Sequence, residues 1–321
     1  MITEILLESS FDADGLEREK GVVIEELKSQ LDDPEDYVFE LLFQALLEPH
    51  PFSYPISGRE ASLKLLSREK ITDFYKNFLA QRFVVAIAGN FDLDSLVSRI
   101  GSQIRGQPFK SLPRAVPSIN RSIFKVQKRS EISQVYVGLG QGAVPYKNLE
   151  RFPLAIFNTA FGGAMSSRLF QSMREKEGLV YNVQSLTELY EDCGLFGIYF
   201  VTDKDKLQRC FEILASVFKS ARDQGFQKEE IETARSYIKG NLLLSLENST
   251  TRMMRIGRNE VLTGQLEPIE TTLKYIDSVD LEQVNSLIKK YINPQDTCLA
   301  AVGPIEEEKI RDLWNNIVLK V

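Results

Sequence analysis

The two halves of this chain end alike, and that duplication constrains the fold more than any single motif does. Ile71, Phe74, Tyr75 and Phe78, at helical spacing, precede the apolar run Val84–Ala88 and then Gly89. Val284, Leu287, Ile288 and Tyr291 precede Cys298–Val302 and then Gly303 in the same order. The offset is about 213 residues, and a further match at about 215 sets Phe11–Gln30 beside Phe226–Ser245. Four elements repeated in one order predict two modules of one fold. If the second module starts near Ser122, the same offset puts the start of the first about 90 residues ahead of Met1. Met1 itself falls inside a helical pattern, MITEILLES, so the first module reads as N-terminally truncated.

Apolar periodicity predicts helices over 13–30, 35–48, 67–80 and 92–103 with a strand over 83–88. Residues 107–121, rich in turn formers and holding three prolines, read as a linker. Beyond it the pattern predicts strands near 133–139, 180–187, 195–201 and 297–302. Helices are predicted near 149–160, 166–177, 205–224, 228–247, 251–263, 280–291 and 306–317. Mixed helices and strands in this order make an α+β protein: residues 1–106 the remainder of a first module, 122–321 the second.

Composition removes several classes of function. A chain of 321 residues with 43% hydrophobic and 26% charged residues is long enough for two packed cores and too apolar for disorder. Its net charge of −6 is spread without a basic cluster, which argues against a nucleic-acid partner. No apolar run reaches the roughly 20 residues that span a bilayer. Met1 is followed by no basic-plus-apolar leader, and the expectation is a cytoplasmic protein. Cys193, Cys210 and Cys298, odd in number and far apart, read as small buried hydrophobes of a reducing compartment. With one histidine, His50, the chain lacks the imidazoles of most zinc centres and of Ser-His or Cys-His catalysis. His50 lies in a proline-bracketed loop with no second ligand nearby, so a packing role is expected of it.

Two local patterns carry chemistry. Glu19 and Glu26 are seven apart, two helical turns, so both carboxylates leave one face of a helix. That spacing suits a metal ligand with a supporting carboxylate behind it, but by itself it is first of all the pattern of a solvated acidic face. In the second half, Gly162-Gly163 is followed by Arg168, Arg174, Gly178 and Tyr181. Gly178 reads as a helix stop and Tyr181 as the start of the next strand. The two glycines are no phosphate loop, because no Lys-Ser/Thr follows them.

Together these stretches closely resemble the pitrilysin/insulinase family of zinc metallopeptidases, in particular its bacterial processing-peptidase-like members. The resemblance is carried by Phe11 to Glu26, Asp32–Asp36, Phe39, His50-Pro51, Pro55–Gly58 and the run Gly162–Tyr181. It implies two modules of the LuxS/processing-peptidase-like metallohydrolase fold. It also implies zinc held by a His-x-x-Glu-His helix and a glutamate about 75 residues further on. Glu26 matches that distal ligand and Glu19 a supporting carboxylate, whereas His-x-x-Glu-His occurs nowhere here. Arg174 and Tyr181 match residues that hold the substrate backbone and the developing oxyanion. By the repeat, Glu26 falls on Asn241 and Glu19 on Ala234, so the second module is expected to be the non-catalytic one.

Three roles follow as expectations. The chain is part of a zinc metalloendopeptidase acting on extended or unfolded peptides, inactive alone. Alternatively it is a non-catalytic subunit presenting Arg174 and Tyr181 to a catalytic partner, or a decayed relative with a scaffolding role. A homodimer, or a heterodimer with a related chain, is the expected assembly.

Overall fold

A computed structural model of the chain describes residues 2–79, 83–103 and 115–320. The segment expected to link the halves therefore lies mostly outside the described residues. The first half is helical: α1 (Ile2–Leu7), α2 (Ala13–Asp32), α3 (Pro34–Leu47), α4 (Glu60–Lys64), α5 (Arg68–Leu79) and α6 (Leu93–Gln103). The second half begins with β1 (Phe124–Lys128), β2 (Gln134–Ala143) and α7 (Arg151–Asn158). It continues with β3 (Val180–Leu189), β4 (Gly194–Asp203), α8 (Leu207–Gln224), α9 (Lys228–Ser245) and α10 (Ser249–Thr263). It closes with α11 (Ile269–Ser278), α12 (Leu281–Tyr291), β5 (Cys298–Gly303) and α13 (Glu307–Leu313).

Local chemistry starts these helices where the sequence signals them. Asp12 accepts from Gly15 N–H at 2.8 Å to open α2, and Asp33 accepts from Glu35 N–H at 2.8 Å to open α3, with Pro34 at its first position. Asn248 opens α10 in the same way, and Asp280 with Gln283 forms a capping box on α12. Gly264, at φ +69°, ends α10 in the left-handed region that favours glycine.

The five strands form one mixed sheet in the order β1-β5-β2-β4-β3, antiparallel except for the β1–β5 pair. One face carries the main core, in which Phe157, Phe161, Phe200, Phe211 and Trp314 pack between the sheet and α7, α8 and the C-terminal helix. The other face is covered by a helix from the first half. Val38, Leu42, Leu46 and Leu47 of α3 are buried against Leu195, Tyr199, Cys298 and Ala300. Two strand glycines let α3 approach: a Cβ on Gly138 would meet Leu42 at 3.3 Å, and one on Gly140 would meet Leu46 at 2.9 Å. Asn120 fixes the end of α3 by donating to the Ala45 and Glu48 carbonyls, at 3.2 and 2.8 Å.

The repeat read from sequence is present in the element order. Helices α2, α3, α5 and α6 match α9, α10, α12 and α13, and Gly89 and Gly303 both have positive φ, +149° and +155°. One predicted element differs. Residues 83–88 pair with no strand among the described residues, although their burial alternates as a strand's would. Strand structure requires a ladder partner, and the sheet offers none at this place. The helix predicted near 166–177 forms instead as a π-helix over Phe170–Lys176, and a second π turn, Thr159–Gly163, extends α7. That turn lies flat on β3 because Gly162 has no Cβ; one would come within 2.7 Å of the Ser185 backbone nitrogen. Strand β1 and the helices α4 and α11 have no counterpart in the periodicity reading.

Candidate functional site

The run Gly162–Tyr181 of the second half folds as one unit around the start of β3. Met173 is buried beneath the π-helix, and the exposed Arg174 lies with its guanidinium 5.2 Å from the Phe170 ring centre. Gly178, at φ +59°, turns the chain, its N–H donating to the Arg174 carbonyl at 3.2 Å while Leu179 N–H reaches the Met173 carbonyl at 2.9 Å. The chain then enters β3, an edge strand of the sheet.

Tyr181 occupies a bulge at that edge. Val180 pairs with Thr202 and Asn182 with Val201, so Tyr181 is the extra residue and its ring stands 54% exposed. A bulge at a sheet edge re-aims one side chain and ends the ordinary alternation. The Tyr181 hydroxyl donates to Asp203 Oδ1 at 3.3 Å, and Lys206 binds Asp203 Oδ2 at 3.1 Å. Asp203's hydrogen bond and charge hold the Lys206 ammonium above its ordinary range. Neither Asp203 nor Lys206 was singled out from sequence. The hairpin register, which brings the end of β4 across from the start of β3, is the signal that finds them.

Arg168, in the same run, has a structural task. It makes a bidentate pair with Glu230, Nε to Oε1 and Nη2 to Oε2 both at 2.6 Å, donates to the Gly225 carbonyl, and stacks 4.5 Å from the Phe226 ring centre. Burial raises the Glu230 pKa, but the Arg168 hydrogen bonds, the Gln227 N–H and the Arg168 charge outweigh it, and the carboxyl lies below its ordinary range.

Glu19 and Glu26 leave one exposed face of α2, two turns apart. Their neighbours Glu17 and Glu25 pair with Lys20 and Lys28, both at 2.7 Å, whereas Glu19 and Glu26 have no ion-pair partner among the described residues. His50 lies elsewhere. Its Nδ1 accepts from Phe52 N–H at 3.2 Å, leaving Nε2–H to donate to the Ala115 carbonyl at 3.1 Å, and the ring packs edge-on against Phe52. It therefore holds a loop. No cluster of three or more His, Cys, Asp or Glu side chains suited to a metal occurs among the described residues.

The family description "Peptidase M16 inactive domain" matches residues 65–238, which include both the π-helix and the Tyr181 bulge. The chain belongs to the peptidase M16 family. An uncharacterized zinc protease of Bacillus subtilis is 30% identical over 305 residues, covering 95% of this M16 chain and 74% of the relative. One from Mycobacterium leprae is 32% identical over 316 residues, covering 96% and 71%. Among solved structures, the peptidase M16 inactive domain from Pseudomonas fluorescens superposes with a TM-score of 0.82 at 19% identity, over 95% of this chain and 73% of that one. A protease from Helicobacter pylori gives 0.78 at 14%, over 92% and 73%. These structures share the α+β fold of this M16 chain. No helix among the described residues is long and apolar enough to cross a membrane.

Zinc, present in the names of the relatives, finds no complete site here. A catalytic zinc takes three protein ligands, and Glu26 stands on an exposed helix face with no imidazole or thiol beside it. The described residues do not fit the metal by themselves.

Proposed function

We propose that these 321 residues form the substrate-contacting part of a zinc-dependent metalloendopeptidase for extended peptides, and that alone they neither hold the metal nor cleave. The observation that carries this reading is Tyr181, placed on a bulge of an open edge strand directly after the helix bearing Arg174. A phenolic O–H and a guanidinium on fixed backbone are suited to hold a peptide carbonyl and the charge that develops on it. Asp203 accepts from the Tyr181 hydroxyl in the meantime, and Lys206 pairs with Asp203. Glu26, with Glu19 behind it on α2, would contribute one carboxylate to a metal site whose imidazoles and general base come from other residues. The match to an M16 inactive domain also supports the second reading, a non-catalytic subunit that presents Arg174 and Tyr181 to a catalytic partner.

Two measurements on the purified chain test the proposal. Mass spectrometry of dialysed protein should find far less than one zinc per chain, and no cleavage of an unfolded, dye-labelled protein substrate should be seen. Titration with an unstructured peptide should still show binding, weakened several-fold by Arg174→Ala and by Tyr181→Phe. Stoichiometric zinc with cleavage, or peptide binding indifferent to both substitutions, would overturn it.

A further inference from the structure

Helix α2 carries Glu19 and Glu26, yet little of its own surface holds it in place: Leu27 is its buried residue among the described ones. Its direction is set at the corner with α3, where Asp33 alone separates the two helices. The last carbonyls of a helix lack partners within it and form the negative end of its dipole. At the end of α2, those of Leu31 and Asp32 are taken by Arg129 of the second half. The Arg129 Nη2 donates to the Leu31 carbonyl, and its Nη1 to the Asp32 carbonyl at 3.2 Å.

Arg129 is itself held from two sides. It follows β1, and its N–H donates at 2.8 Å to the carbonyl of Gly303, where β5 ends. Its guanidinium lies 5.0 Å from the centre of the Tyr37 ring on α3. The apolar packing that seats α3 on the sheet is non-directional, so it leaves the tilt of α2 open. Hydrogen bonds are directional, and a guanidinium presents its donors in a rigid fork that an ammonium lacks.

We propose that Arg129 is a positioning residue. It sets the tilt of α2 on the second half, and with it the placement of Glu26 and Glu19 relative to Arg174 and Tyr181. The lever is long: at about 1.5 Å per residue, Glu26 lies about 8 Å and Glu19 about 18 Å up the helix from Leu31. A tilt of about 10° at the corner would move them by about 1 and 3 Å. The consequence for chemistry rests on the function proposed above, in which these four residues serve one site. There, a misplacement of about 1 Å can cost on the order of 100-fold in rate. The placement itself needs neither zinc nor peptide.

The test measures distances in the 321-residue chain by pulsed spin–spin resonance. One pair of labels joins Val22→Cys, exposed on α2, to Lys219→Cys, exposed on α8. A second pair, Lys219→Cys with Glu270→Cys, lies wholly on exposed positions of the second half. Arg129→Ala should at least double the width of the first distance distribution and leave the second unchanged. Arg129→Lys, which keeps the charge and loses the fork, should fall between wild type and Arg129→Ala. An unchanged first pair in Arg129→Ala would overturn the proposal. So would a second pair that widens as much as the first, because Arg129 would then support the fold of the second half alone. Arg129→Lys indistinguishable from wild type would overturn it too, since charge without the fork would suffice. None of these readouts involves peptide or zinc, so a failure of the function proposed above is seen separately, in the binding titration.

Discussion

Gly89 and Gly303 sit at φ +149° and +155°, each closing an apolar run that follows a helix, 214 positions apart. Only glycine adopts this region at low cost. Their surroundings differ: a Cβ on Gly303 would come within 2.7 Å of the Gln134 carbonyl and 2.9 Å of Val135 Cα, while one on Gly89 meets nothing within 4 Å. Gly303→Ala should therefore lower stability by about 3 kcal/mol or more, and Gly89→Ala by about 1 kcal/mol, from backbone strain alone. Urea unfolding at 25 °C measures both; equal losses would contradict the difference in packing.

Glu230→Gln should cost about 1–3 kcal/mol, because it leaves the guanidinium of Arg168 with weaker acceptors in a part-buried site. The pH dependence has a definite sign. The Glu230 pKa is lower in the folded chain than in the unfolded one, so its contribution is complete above the unfolded value near 4.5 and is lost as pH falls through the folded value. Wild type and Glu230→Gln should thus differ most at neutral pH and converge in acid, as thermal melts between pH 3 and 7 would show.

Leu42→Ala should cost about 2–5 kcal/mol, since Leu42 is buried between α3 and the β2 strand. Gly140→Val should also destabilise, by about 1–3 kcal/mol, through overpacking against Leu46. Both are read by chemical denaturation. If neither matters, α3 does not cover the sheet in solution.

Native thiols should resist modification. Cys193, Cys210 and Cys298 are buried, and burial pushes the Cys210 thiol up to about 11. A disulfide reagent at pH 8 should label the folded chain slowly and all three cysteines once urea is added. Rapid labelling of any of them without denaturant would show that its packing is looser than described.

Much of this protein is legible in its residues. Gly178 announces a helix end, because positive φ is a local demand met by few residue types, and apolar periodicity places the helices that Asp12, Asp33 and Asn248 are found to cap. The alternation of Val135, Val137 and Leu139 marks β2, and the motif run from Gly162 to Tyr181 marks the family.

Other features depend on partners distant in the chain. Residues 83–88 alternate as a strand yet form no ladder among the described residues, because pairing belongs to two segments and periodicity to one. The Tyr181 bulge follows from the register of β3 against β4, and Asp203 reaches Tyr181 only through that register. The π turn at Gly162 reflects the close approach of β3. Sequence by itself determined the α+β class, the repeat, the approximate positions of most helices and the choice of Glu19, Glu26, Arg174 and Tyr181 as candidate residues. Tertiary structure decided that α3 crosses to the other half's sheet, that Arg168 is a structural ion pair, and that Glu26 belongs to no metal-ligand cluster among the described residues. Burial and ion pairing are properties of neighbours in space, and a sequence lists neighbours only along the chain.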